Sequence, residues 1–177
     1  MIKLRFIILI CFLSFSCNCQ NKKNNSNEPR IVKLNEAFEQ KDYETFLKLF
    51  PDNFNELKAF YDYDDILGES PLYAVAESQI DYLFSGANEK DELTLIKKVI
   101  TIAINGKWDA DAINYFQHNL ISLLEENSEK VFEVLQTKTS NENKKFWHFV
   151  LESPHPINEQ NRALINSLSA KFGEENN

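Results

Sequence analysis

Apolar residues recur along most of the chain at intervals of three and four positions, with polar residues between them. That spacing places the apolar side chains on one face of an α-helix, whereas a half-buried strand would need strict alternation. From residue 31 to residue 173, proline and glycine fall between these runs and not inside them. The predicted helices begin near Ile31, Asp42, Phe54, Ser70, Leu93, Asp109, Ser128, Ser140 and Asn158.

Several of these helices carry recognisable start residues. Asp42 is placed to cap the second helix. Ser70 followed by Pro71 suits the start of the fourth, since serine is a good N-cap and proline is tolerated in the first turn. Ser128 and Ser140 are the predicted N-caps of two later helices.

The segment from Leu93 to Ile104 is rich in β-branched residues and could be mistaken for a strand. Its polar positions follow helical spacing and not alternation, so we predict a helix with one narrow polar stripe, near the centre of the core. Gly106 is expected to end this helix in a left-handed conformation. The stripe consists of Thr94, Lys97, Lys98, Thr101 and Asn105.

Together these elements predict an all-α fold, a compact array of about eight helices that forms one monomeric domain over residues 30–177. An alternative arrangement stacks consecutive helical hairpins as in an armadillo or HEAT solenoid. No internal repeat of fixed period supports that alternative, so the compact array is the preferred prediction.

Residues 1–16 are typical of a secretory signal peptide. Two basic residues precede eight apolar ones (6–13), which are too few to span a bilayer, since a spanning helix needs about 20. The run ends in Leu-Ser-Phe-Ser-Cys (13–17), which resembles the lipobox of bacterial lipoproteins. We therefore expect Cys17 to be lipidated and to become the first mature residue. The alternative is a plain signal peptide that is cleaved near Ser16.

Residues 17–29 are predicted to form a flexible tether between the lipid and the domain. From Asn18 to Pro29 there is no aliphatic or aromatic residue, so the segment cannot bury enough surface to offset the entropy of ordering it. As a coil it would span on the order of 20 Å. We expect a protein of the bacterial cell envelope that faces the periplasm, or a secreted protein if Cys17 is not lipidated.

Composition narrows the range of functions. The 177 residues include 19 Lys and Arg against 27 Asp and Glu, a net charge of −8, so the surface repels phosphate and nucleic-acid binding is not expected. The cysteines are Cys11, Cys17 and Cys19, which leaves none in the domain for thiol catalysis or a thiolate metal site. No glycine-rich phosphate loop and no Gly-x-Ser-x-Gly motif occurs, and we expect no cofactor.

One metal motif is present in incomplete form. Glu152 and His155 form Glu-x-x-His, which di-iron helical bundles use in two copies on continuous helices. Pro154 would break the helix between the two ligands, and the chain has no second copy. We therefore expect no metal here, with His148 solvated and His155 in a loop.

A group of polar residues further back along the chain has two interpretations. Asp109, Asp111, His118 and His155 form a candidate polar site, on which a weak hydrolase could be built. In the structural interpretation Asp109 caps a helix, Asp111 complements its positive end, and His118 belongs to its solvated stripe. The structural interpretation is preferred.

An acidic segment with two tyrosines follows the third predicted helix. Tyr61, Asp62, Tyr63, Asp64 and Asp65 lack the spacing and the glycine of a calcium loop, but tyrosines among acids suit a protein-binding surface. The alternative is a helix end with two buried rings and solvated carboxylates. We take this segment as the candidate interaction surface for a protein with a basic surface.

Two sequence blocks carry a resemblance to other proteins. Gly-Lys-Trp-Asp (106–109) and Pro-His-Pro (154–156), with Phe-Trp-His-Phe (146–149) between them, resemble blocks in a family of uncharacterised bacterial helical proteins, many of them secreted or lipid-anchored. The resemblance covers about residues 42–170. It implies a helical fold and brings no established activity.

These observations favour a non-enzymatic protein-binding module that is lipid-anchored at the cell envelope. An immunity protein that covers a basic toxin delivered into the periplasm is an alternative of the same class. A hydrolase that uses Asp109, Asp111 and either His118 or His155 is the alternative from a different class.

Overall fold

The structure is a computed structural model that describes residues 28–152 together with Glu159 and Ala163. Over this part of the chain it confirms the predicted all-α fold, with eight α-helices and one short hairpin. The helices are α1 (Glu28–Glu39), α2 (Tyr43–Leu49), α3 (Phe54–Tyr61), α4 (Ala76–Ser85), α5 (Glu92–Ala103), α6 (Asp111–Glu126), α7 (Ser128–Gln136) and α8 (Ser140–Leu151). Strands β1 (Tyr63–Asp64) and β2 (Gly68–Glu69) and a 3₁₀ turn (Tyr73–Val75) lie between α3 and α4.

The two ends of the chain fall largely outside the described residues. This applies to the predicted signal peptide, to Cys17 and to most of the predicted tether. It applies also to His155 and to most of the helix predicted from Asn158, of which Glu159 and Ala163 are helical. None of the helices over the described residues is long and apolar enough to cross a membrane.

The domain begins earlier than predicted. Glu28 and Pro29, which the sequence assigned to the tether, are the first two residues of α1. Proline fits there because the first N–H groups of a helix have no intrahelical partner.

Arg30, in the first turn of α1, clamps that helix to the chain between α2 and α3. Its Nε donates to the Leu49 carbonyl at 2.9 Å, and its Nη2 donates to the Phe50 carbonyl at 2.7 Å. The same guanidinium pairs with Glu56 at 2.9 Å and with Asp52 at 3.0 Å. Arg30 therefore adds a set of polar contacts to the apolar packing of the buried Ile31 beside it at the start of α1.

The core is organised around α5, which is a helix and not a strand, as its polar stripe predicted. Its neighbours are α3, α7 and α8, and a second extensive contact joins α4 to α6. The α5 side chains buried in this core are Leu95, Ile96, Val99, Ile100, Ile102 and Ala103.

The role predicted for Gly106 is wrong. Its φ is not positive, so it is not a left-handed helix terminator. A Cβ built on Gly106 would lie 2.5 Å from Cδ2 of Phe149, so glycine is needed there because α8 packs so closely against the backbone. Among the glycines that the structure describes, Gly68 has the left-handed conformation, with φ of +77°.

The predicted start of α2 is confirmed, and that of α4 is not. The Asp42 side chain caps α2 by accepting a hydrogen bond from the backbone N–H of Thr45 at 3.1 Å. Ser70 does not start α4, which begins at Ala76 after the 3₁₀ turn. The backbone N–H of Ser70 instead donates to the carbonyl of Asp62 at 3.0 Å, which ties this segment to the end of α3.

Ser128 and Ser140 each follow the true N-cap by one residue. The N-caps are Asn127 for α7 and Thr139 for α8, and each serine is the first helical residue. Thr139 forms a reciprocal capping box with Glu142, which satisfies two backbone donors that would otherwise lack partners.

Candidate interaction surface

A short hairpin separates α3 from the 3₁₀ turn. Tyr63 pairs with Glu69 and Asp64 with Gly68 in antiparallel register. Asp64 Oδ1 accepts hydrogen bonds from the backbone N–H groups of Ile66 at 2.9 Å and of the next residue at 2.7 Å. Gly68 supplies the positive φ that this tight connection requires. The turn therefore has its own internal hydrogen bonds.

The tip of this hairpin carries the most exposed apolar side chains of the described residues. Ile66 is 91% exposed and Leu67 is 65% exposed, and the ring of Tyr63 at the base is 48% exposed. The aspartates that precede Ile66 and the glycine that follows Leu67 are typical of a turn. This pattern in the sequence could have predicted that the two aliphatic residues lie at a loop tip. Neither residue belongs to the surface predicted from the sequence.

Tyr61 does not belong to this surface, contrary to the prediction. Its ring is fully buried and stacks on Phe50 with 5.5 Å between centroids. The hydroxyl donates to Oε1 of the buried Gln79 at 2.8 Å, and Nε2 of Gln79 donates to Asn35 at 2.8 Å. Burial raises the pKa of Tyr61 well above its usual value. Tyr61 is a core residue.

Asp62 is also wrongly predicted as a surface residue. Only 5% of it is exposed, and its carboxylate pairs with Lys58 Nζ at 2.8 Å. The same ammonium group pairs with Asp109 at 2.9 Å. Lys58 therefore joins one residue from each of the two sites that the sequence predicted separately.

Asp109 does not cap α6 as the structural interpretation expected. The N-cap is Ala110, which has extended backbone and makes no side-chain capping bond. The Asp109 carboxylate bonds to Lys58 and to the backbone N–H of Ala110, and both bonds hold the pKa of Asp109 below its usual value, Lys58 having the larger effect.

A second link joins the two predicted sites through Tyr73, a residue that belongs to neither prediction. The Tyr73 hydroxyl donates to the Asp111 carboxylate at 3.0 Å, and its ring lies 5.9 Å from that of Tyr63. Asp111 has a φ of +53°, a strained conformation for a residue other than glycine. The hydrogen bond to Asp111 is the largest cause that raises the pKa of Tyr73. We call residues 63–69 together with Tyr73 and Asp111 the hairpin surface.

The other members of the candidate polar site do not join this surface. His118 is exposed on α6, seven residues beyond Asp111 and so about 10 Å further along the helix axis. His155 lies outside the described residues. Among the described residues no group of three or more His, Cys, Asp or Glu is placed to hold a metal ion. Glu152 is engaged by the backbone N–H of Trp108 at 2.9 Å.

The stretch of chain that carries the hairpin contains acidic residues and no basic one. From Ala59 to Glu89 the sequence contains no Lys, Arg or His. The nearest cation before this stretch, Lys58, is already paired with two carboxylates. The exposed apolar tip lies beside a groove of about 520 Å³ whose lining includes Leu67 and Pro71, the acids Asp62, Asp64 and Glu69, and the paired Lys58.

No family model matches this chain, and no similar protein was found among the curated proteins or the solved structures.

Proposed function

We propose that this protein is a non-enzymatic protein-binding module, held at the bacterial cell envelope by a lipid on Cys17, and that it docks partners through the hairpin surface. The observation that carries the docking proposal is the pair of aliphatic side chains, Ile66 and Leu67, exposed at the tip of an internally hydrogen-bonded turn. Large apolar side chains exposed next to one another mark contact sites more often than isolated ones do.

The energetics of the tip suit reversible docking. Burying Ile66 and Leu67 against a partner would contribute about 3 kcal/mol from apolar area alone. Because the turn is already fixed by Asp64 and Gly68, binding would not have to order it, and less of that contribution would be lost to conformational entropy. Tyr63 and Tyr73 extend the contact area at low entropic cost.

Site-specific photo-crosslinking in living cells tests the docking proposal. A photoreactive residue at Ile66 is expected to give a discrete crosslinked protein product. The same residue at Leu93, which is about half exposed on α5, is the matched control and is expected to give none. Equal products from both positions, or none from Ile66, would refute docking through the hairpin.

The anchor is tested separately by fatty-acid labelling. The proposal rests on a short apolar run that ends in small residues before Cys17, followed by a polar segment. Cys17→Ser should abolish labelling, and Cys19→Ser, two residues away, should leave it unchanged. If labelling persists in Cys17→Ser, the proposed lipid on Cys17 is refuted, and the proposed docking through the hairpin surface is not affected.

A further inference from the structure

We infer that the hairpin tip inserts into an apolar pocket that is rimmed by Lys or Arg on a partner protein. This rests on the proposed docking function and specifies the chemistry of the partner. The inference combines two properties of one surface. The first is a small convex apolar tip. The second is the set of carboxylates around it: residues 59–89 contain no cation, and Lys58, which lines the neighbouring groove, is already paired with Asp62 and Asp109.

The carboxylates determine the rim of the partner's pocket. Asp65 lies within the turn itself, and Glu69 lies on β2 opposite Tyr63, and both acids are exposed. Carboxylates next to an apolar contact are stabilised when the partner supplies cations, and they are desolvated at a cost when it does not. A neutral or acidic pocket would therefore be disfavoured.

The shape of the tip determines the form of the pocket. Ile66 and Leu67 are adjacent and project from a turn of three residues between the paired positions Asp64 and Gly68. A flat surface would contact only the ends of these side chains, whereas a concave one would bury both. The inferred partner therefore presents a recess and not a plane.

Two other occupants fit the surface less well. An anionic membrane would repel Asp65 and Glu69 at the depth where the two aliphatic side chains would have to enter. A second copy of the chain, docked symmetrically hairpin to hairpin, would bring the same carboxylates close to their own copies. With a chain charge of −8, that self-association would be opposed by repulsion.

The test uses as the probe a phage-displayed library of a small folded domain whose concave face is randomised, selected on the purified full chain. Recovered domains are expected to combine Lys or Arg at the rim of that face with aliphatic or aromatic residues within it. Their affinity should fall about tenfold or more for Ile66→Ser and stay unchanged for Leu93→Ser, the matched exposed position on α5. Asp65→Lys should slow association severalfold with little change in dissociation, because exposed charges act mainly on encounter.

Several results would overturn the inference. They are selected domains whose randomised face is acidic or uncharged, domains that bind Ile66→Ser as tightly as the unmodified chain, and a selection that enriches nothing. Hairpin-dependent binding to vesicles of phosphatidylethanolamine and phosphatidylglycerol, or a dimer that Ile66→Ser dissolves, would assign the tip to a different occupant. If Ile66 still crosslinks to a protein in cells, the docking function stands and only the chemistry assigned to its partner falls.

Discussion

The buried hydrogen bond of Tyr61 joins the end of α3 to α4, and changing one atom removes it. Replacing Tyr61 with Phe removes one hydroxyl and leaves the ring, so the stacking on Phe50 is retained. What is lost is the 2.8 Å bond to Oε1 of Gln79, a residue with no exposed surface. In the variant, Oε1 of Gln79 would be left without a hydrogen-bond donor among the described residues.

The cost follows from that orphaned acceptor. A buried polar atom that loses its partner costs about 1–3 kcal/mol, and the Nε2 bond from Gln79 to Asn35 survives, so we expect about 2 kcal/mol of lost stability. For a chain of this size that corresponds to a fall in melting temperature of about 6 °C. In a Gln79→Met background the acceptor is already gone, and Tyr61→Phe should cost about 1 kcal/mol less.

Urea unfolding followed by circular dichroism measures these differences on the full chain. Tyr63→Phe is the matched control, since it makes the same chemical change two residues away on a half-exposed ring. We expect it to change the free energy of unfolding by less than about 0.5 kcal/mol. If Tyr61→Phe and Tyr63→Phe have equal effects, or if the Gln79→Met background makes no difference, the buried network is refuted.

Three further predictions concern contacts described above. Gly106→Ala should destabilise the fold by about 2 kcal/mol, because the added methyl group clashes with Phe149. In thermal melting, the double variant with Phe149→Leu should recover part of that loss, whereas fully additive effects of the two substitutions would argue against the clash. The pKa of the Asp109 carboxyl, followed by NMR, should lie below its usual value and rise in Lys58→Met, and an unchanged titration would exclude the ion pair. Because this pKa is lowered in the fold, the contribution of Asp109 to stability is present above the usual pKa and is lost as the pH falls through the lowered one. Arg30→Met removes four hydrogen bonds and should cost about 2 kcal/mol, with faster amide exchange at the start of α1 than elsewhere; uniform exchange would contradict the clamp.

The helices could be predicted from the sequence because apolar spacing is a local property of the chain. The segment 93–104 shows this most clearly: its β-branched composition suggested a strand, but the spacing of its polar residues identified α5. The exact helix starts could not be predicted as well. Where two neighbouring polar residues can both cap a helix, as Thr139 and Ser140 can, the choice depends on which one has the reciprocal Glu142 three positions later.

For the candidate site too, features that depend on local sequence could be predicted and contacts between distant residues could not. Tyr61 follows Leu57 by four positions and Phe54 by seven, so the period of α3 alone would have placed its ring in the core. Lys58 and Asp109 are 51 residues apart in the sequence, and no local sequence pattern predicts their contact. The two predicted sites could therefore be joined only when the packing of α3 near the start of α6 was known.

The Arg30 clamp has a mechanical consequence. A pull on the chain ahead of Glu28 reaches this guanidinium within the first helical turn and passes through it to the Leu49 and Phe50 carbonyls and to Glu56. The load is then shared among several short bonds in parallel and reaches the loop before α3 directly. A helix held only by its own ladder would instead open one bond at a time from its end. Because Arg30 is the third residue of α1, tension applied from the N-terminal side is resisted close to the start of the domain.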